Sequence, residues 1–186
     1  AYTSQFVNLH VGDPVDRVLL WPQPDPTTAV IFSQGAMRPR VHFLELADVE
    51  ARGGQNLATL DTNEPVQNIE LIPGRDQALV LHDDARSVLS VMDLTERTLS
   101  PVTSRGPLGG YVFTPGGDQL VGYTAGEEML GVINLNNLAV RPLQLADYPA
   151  DVLVLAPPGG AEIEDESRTV VVDHGDPGGR ITVVPN

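Results

Sequence analysis

Residues 65–102 read PVQNIELIPGRDQALVLHDDARSVLSVMDLTERTLSPV, and residues 107–145 read PLGGYVFTPGGDQLVGYTAGEEMLGVINLNNLAVRPLQL. The two stretches align almost without gaps. Asp76-Gln77 recurs as Asp118-Gln119, and Val91-Met92-Asp93-Leu94 recurs as Val132-Ile133-Asn134-Leu135. Each holds four short apolar runs separated by turn residues, the pattern of antiparallel strands joined by hairpins. The first turn is Pro-Gly-Arg-Asp in one and Pro-Gly-Gly-Asp in the other, and glycine supplies the positive φ that a tight turn needs. No long stretch carries a helical apolar period, so the chain reads as all-β.

The same unit extends to both sides. Pro14 and Pro22, Pro65 and Pro73, Pro107 and Pro115, and Pro149 and Pro157 each stand eight residues apart, and the pairs begin 51, 42 and 42 residues after one another. That period falls near the ~40–45 residues of a propeller blade, a small antiparallel sheet that needs its neighbours to form a core. The reading is one β-propeller domain, 1–186, with blade-like repeats 14–64, 65–106, 107–148, and 149–186 plus 1–13. Repeat one reaches its third strand at Val41-His42-Phe43-Leu44 and then carries an expanded polar connection over 50–55. Repeat four carries an acidic insertion over 159–166, runs through Thr169-Val170-Val171-Val172 and Ile181-Thr182-Val183-Val184, and lacks a fourth strand. Residues 5–11 read as an orphan strand that completes it, because an open edge invites unwanted pairing. The same strand pairing closes a ring within one chain, joins two half-rings into an eight-bladed homodimer, or belongs to a piece of a longer propeller.

The pattern Gly106-Pro107-Leu108-Gly109-Gly110-Tyr111-Val112-Phe113-Thr114-Pro115-Gly116-Gly117-Asp118, followed by Val132-Ile133-Asn134-Leu135, resembles the YVTN-type propeller repeat. The diagnostic Tyr-Val-Thr-Asn is absent, with Gly122-Tyr123-Thr124-Ala125 and Val80-Leu81-His82-Asp83 the nearest segments. The resemblance implies fold over nearly the whole chain. Because such propellers include bacterial surface proteins and lactonase-like enzymes, it implies an extracellular, periplasmic or cell-surface setting and leaves activity open.

Composition narrows the chemistry. With 41% hydrophobic residues the chain can bury one sizeable core. No apolar run approaches the ~18 residues of a membrane helix, so no membrane insertion is expected. A start at Ala1 without methionine reads equally as processing or as a cut boundary. Zero cysteines exclude disulfides and thiol catalysis, and all eleven basic residues are arginine, which excludes lysine Schiff-base chemistry. A net charge of −14 repels nucleic acid and is compatible with cations, basic partners or neutral sugars.

Two constellations stand out. Among the loops between second and third strands, two carry adjacent histidine and aspartate, His82-Asp83 and Asp173-His174. Imidazole beside carboxylate can ligate a metal or form a base with its orienting acid, and equally makes an ordinary polar turn. Two residues past the first proline of each pair stand Asp16, Gln67, Gly109 and Asp151. Strand alternation puts them on one face with Val18, Ile69, Tyr111 and Leu153, so that Asp16 and Asp151 meet in a closed ring and offer oxygen ligands to Ca2+ or Mg2+. The expected function is a non-catalytic binding or scaffold module of the bacterial envelope or secreted space that takes a protein, peptide or glycan on its loop face. The alternative is a divalent-metal-assisted, lactonase-like hydrolase. Whether the chain is an enzyme stays open, leaning towards no.

Overall fold

In the computed structural model, residues 11–22, 24–47, 57–104, 106–155 and 169–185 are described. They form fifteen strands in four antiparallel sheets, each a simple meander. The first sheet holds β1 (Arg17–Trp21), β2 (Thr28–Phe32), β3 (Arg40–Glu45) and β4 (Leu57–Asp61). The second holds β5 (Asn68–Leu71), β6 (Gln77–Leu81), β7 (Leu89–Asp93) and β8 (Thr98–Val102). The third holds β9 (Leu108–Phe113), β10 (Gln119–Thr124), β11 (Met129–Asn134) and β12 (Val140–Gln144). The fourth holds β13 (Asp151–Leu155), β14 (Thr169–Asp173) and β15 (Ile181–Pro185). The expanded connection over 50–55, the acidic insertion and all but Val11 of the expected closing strand lie outside the described residues.

The repeated motifs have clear local causes. Asp93 ends β7 and its carboxylate accepts hydrogen bonds from the backbone N–H of Thr95 (3.0 Å) and Glu96 (2.7 Å), while Asn134 at the end of β11 accepts from the N–H of Asn136 (2.9 Å). These side-chain turns end the third strand and drop Leu94 and Leu135 into the core. The proline-glycine turns differ in detail. In the second sheet Arg75 N–H closes onto Ile72 O and Gly74 takes φ +69°. In the third, Gly117 N–H closes onto Thr114 O, and it is Gly117, one place later, that takes φ +67°.

The sheets stack face to face in chain order, and alternation along each second strand explains why both faces are apolar. Val30, Phe32, Val41 and Phe43 of the first sheet pack against Ile69, Ala78, Val80 and Met92 of the second. The other face of the second sheet, including Leu79, Leu81 and Val91, packs against Leu108, Leu120 and Ile133 of the third. Val121, Leu130 and Val132 of the third meet Val152, Val170 and Val172 of the fourth. None of the apolar clusters among the described residues joins the first sheet to the fourth.

Polar staples cross the same boundaries. Arg97 donates to Glu45 Oε1 at 2.6 Å and lies over the Phe43 ring, and Tyr111 donates to Glu70 Oε2 at 2.6 Å. Partial burial, reinforced by that bond and by the Glu70 charge, pushes the Tyr111 phenol up. Arg75 donates to Gly117 O (3.1 Å) and Asn136 Oδ1 (2.7 Å). Tyr123 lies across Gly109 and Gly110 and donates to Ala150 O at 2.6 Å, and a Cβ at Gly109 would stand 2.2 Å from the ring. The two glycines are therefore there for the tyrosine. Among the described residues no helix is long and apolar enough to cross a membrane.

Candidate functional site

In a four-stranded meander the loop between second and third strands and the connection to the next sheet fall at the same end. Backbone bonds tie them together there: Gly35 N–H donates to Val66 O (2.8 Å) and Leu108 N–H to Arg86 O (3.3 Å). This end carries the His-Asp loops.

The register places Ser33, His82, Thr124 and His174 at one equivalent point, just past or at the end of each second strand. His82 is buried, with Nδ1 3.1 Å from Pro65 O and Nε2 2.9 Å from Ser90 Oγ. A carbonyl oxygen can only accept, so Nδ1 carries the proton and the Ser90 hydroxyl donates to Nε2. His174 repeats the arrangement with Tyr148 O (3.0 Å) and Thr182 Oγ1 (2.8 Å). Both imidazoles therefore clamp the second strand to the third and to the segment entering the first. Metal ligation by either would require giving up one of these bonds.

The adjacent acids are also engaged. Asp83 Oδ1 accepts from the backbone N–H of Ser87 (2.7 Å) and Val88 (3.3 Å), and the Ser87 hydroxyl donates to Oδ2. Burial pushes the Asp83 carboxyl up, but these hydrogen bonds together outweigh it and hold the group below the usual carboxylate range. Asp173 accepts from Gly175 N–H at 2.9 Å. So the four residues expected to bind a ligand, His82, Asp83, Asp173 and His174, all make hydrogen bonds within their own sheets.

Asp16 and Asp151 are not equivalent. Val152 pairs with Val172 as Ile69 pairs with Val80, which aligns Asp151 with Asn68 and Asp16 with Gln67. The proline frame is thus one residue out in the fourth repeat, and a one-residue slip turns every side chain to the other face. Val152 packs against the third sheet, whereas Leu153, expected on that side, faces outwards and is exposed. Asp16 Oδ1 accepts from Gln34 N–H (3.0 Å), and Asp151 Oδ1 from the next N–H, that of Val152 (2.8 Å). Among the described residues no three His, Cys, Asp or Glu side chains gather as a metal site.

A different group does converge. Arg40 and His42 alternate on β3 and so share one face, Arg38 stands two residues before the strand, and Asp13 from the segment before β1 reaches all three. Asp13 Oδ2 lies 3.3 Å from His42 Nε2 and 3.6 Å from Arg40 NH1, and Oδ1 lies 3.9 Å from Arg38 NH1. Arg40 Nε also donates to Asp61 Oδ1 at 2.9 Å, and that bond, with the charges of Asp61 and Asp13, raises the guanidinium pKa further. His42 is buried, with Nδ1 3.0 Å from Thr59 Oγ1. Together with Ser33 and Met37 these residues line an open cleft of about 280 Å3. The alternation Arg38, Arg40, His42 was visible in the sequence, but its acidic partner is too far away along the chain to be assigned by spacing.

No protein-family model matches the chain, and a search of the curated proteins finds no match. Solved structures do match. The chain is similar to the dihydro-heme d1 dehydrogenase NirN in complex with DHE (14% identity, TM-score 0.56, covering 92% of this chain and 36% of that one). It is similar to Sqt1 of Saccharomyces cerevisiae (14% identity, TM-score 0.56, 93% and 46%) and to BBS1N in complex with ARL6DN (11% identity, TM-score 0.55, 96% and 53%). All three are propeller-type folds, and at these identities the likeness shows fold alone. The chain spans about a third to a half of the length of the structures it matches, as four antiparallel sheets of an all-β, propeller-like stack.

Proposed function

We propose that the chain is a non-catalytic binding module that holds a protein or peptide segment at the end of the stack where the loops between second and third strands gather. The observation that carries this reading is the cleft beside β3. Met37 is fully exposed at its rim, and Arg38, with 75% of its side chain exposed, has its nearest acid among the described residues at 3.9 Å, the outer limit of an ion pair. An adaptable thioether next to an unsaturated guanidinium fork suits a segment that presents an apolar side chain beside a carboxylate. The overall negative charge does not decide against it, because charges beyond about 8–10 Å are largely screened at physiological ionic strength. BBS1N is described in complex with ARL6DN, which supports a protein ligand on this kind of fold.

A random peptide library displayed on phage and selected on the immobilised chain tests the reading. Enriched peptides should carry Asp or Glu next to an apolar residue and should lose binding to a Met37→Ser, Arg38→Ser double variant. Enriched peptides that bind this variant as well as the parent would overturn it.

A further inference from the structure

The three sheet interfaces share one polarity. Each sheet offers the side chains of its second strand that alternate with those receiving the sheet before it: Val30 and Phe32 in the first, Leu79 and Leu81 in the second, Val121 in the third. The following sheet receives them with Ala78 and Val80, with Leu120, and with Val170 and Val172. At the end of the stack the fourth sheet still has an offering face. Leu153, Val171 and Val183 stand in one row of its register, and Leu153, Leu155, Ile181 and Val183 are 55%, 51%, 58% and 55% exposed. At the beginning, the receiving positions on the second strand of the first sheet, Ala29 and Ile31, are already buried with Leu44, and the exposed apolar part of that face is its innermost strand. Val18 and Leu20 on β1 are 60% and 41% exposed, on the face opposite to Leu19 and Trp21, which pack towards the second sheet.

Innermost strands carry much of this kind of contact, since β13 lies directly against β9 and β10 of the sheet before it. On the first sheet that role belongs to β1, where the exposed valine and leucine are. A contiguous exposed apolar face of this kind marks an interaction surface. The chain also spans only about a third to a half of the propeller-type structures it matches.

From these observations we infer that two copies of this chain assemble head to tail, with the apolar face of the fourth sheet of each packed on β1 of the other, into one eight-sheet ring. Stack polarity selects this arrangement over a face-to-face pairing of two fourth sheets, because an offering face meets a receiving one at every interface inside the chain. Two identical interfaces related by a twofold axis then close the assembly and leave no free end. Val18, Ile31 and His42 stand in one row of the first sheet, so this interface shares a face with the cleft beside β3 but uses the innermost strand, and the inference does not rest on the loop-end ligand.

Sedimentation equilibrium of the purified chain tests it, together with the variants Leu153→Arg, Val18→Asp and Val88→Arg. The parent should sediment at twice its 19.9 kDa mass. An unpaired charge buried at either interface should raise the dissociation constant about 100-fold or more. Val88 is also exposed and apolar but lies outside both faces, so Val88→Arg should sediment as the parent does. Mixing Leu153→Arg with Val18→Asp should restore the dimer, because one interface is then wild type and the other brings opposite charges together. Circular dichroism of each variant establishes that it is folded. A monomeric parent would overturn the inference, as would a Val18→Asp variant that dimerises as tightly as the parent.

Discussion

Gly117→Ala is the sharpest probe of how the second and third sheets meet. Gly117 has φ +67°, and a Cβ built there stands 2.1 Å from Pro73 O and 2.9 Å from Ile72 Cγ2. The oxygen belongs to the backbone of the neighbouring turn, so a rotamer change cannot relieve the contact, and the two turns must part by roughly 1 Å. Left-handed backbone at a residue with a Cβ costs about 1–2 kcal/mol. Forced separation of a packed boundary adds about 1–3 kcal/mol, and the Arg75 bond to Gly117 O stretches with it. The expected loss is about 2–5 kcal/mol, large for a single methyl group. Gly126→Ala is the internal control: φ is +76° there and nothing lies within 4 Å, so only the backbone term remains, about 1–2 kcal/mol. Urea unfolding of the two variants, compared at equal m-value, should differ by the packing cost alone, about 1–3 kcal/mol. Losses equal to within about 0.5 kcal/mol would refute the close packing of the two turns.

Other substitutions probe the loop clamps and the polar contacts between sheets. His82→Ala leaves Pro65 O and the Ser90 hydroxyl without their partner and should cost about 2–4 kcal/mol of unfolding free energy measured in urea; a loss below about 0.5 kcal/mol would mean that the imidazole is no clamp. Arg97→Ala should cost only about 1 kcal/mol, because the pair with Glu45 is partly exposed, and part of that difference should vanish at high salt. Asp83 has a folded pKa below its unfolded value, so it contributes stability above the unfolded pKa that is lost as pH falls through the folded one. Thermal melts taken down the acid range should therefore show a shallower decline for Asp83→Asn than for the parent, and parallel declines would count against those loop bonds.

Much of the fold was legible because its causes are local. Asp93 and Asn134 recur since each folds its own following turn, and that recurrence marks the third strand of both central repeats. The apolar runs at Thr169-Val170-Val171-Val172 and Ile181-Thr182-Val183-Val184 became β14 and β15. The site was less legible because side-chain direction depends on register to the single residue. Proline spacing set a frame that holds for Asp16 and Gln67 but slips by one at Asp151, where Val152 rather than Leu153 turns towards the third sheet. The His-Asp neighbours stand out in the sequence by adjacency, which says nothing of their hydrogen-bond partners. The signal that explains them is the partner eight residues on, Ser90 for His82 and Thr182 for His174. The Asp13 cluster needs a contact across a hairpin and a half, which no local pattern reveals.

An isotope-filtered NOESY experiment on a mixture of 13C-labelled and unlabelled chain distinguishes head-to-tail assembly of two chains from closure within one. Head-to-tail assembly should give cross-peaks within one chain between Val132 and Val172 methyl groups, and cross-peaks between chains linking Leu153 or Ile181 to Val18 or Leu20. Cross-peaks between Leu153 and Val18 confined to a single chain would contradict it and show a four-sheet ring closed on itself.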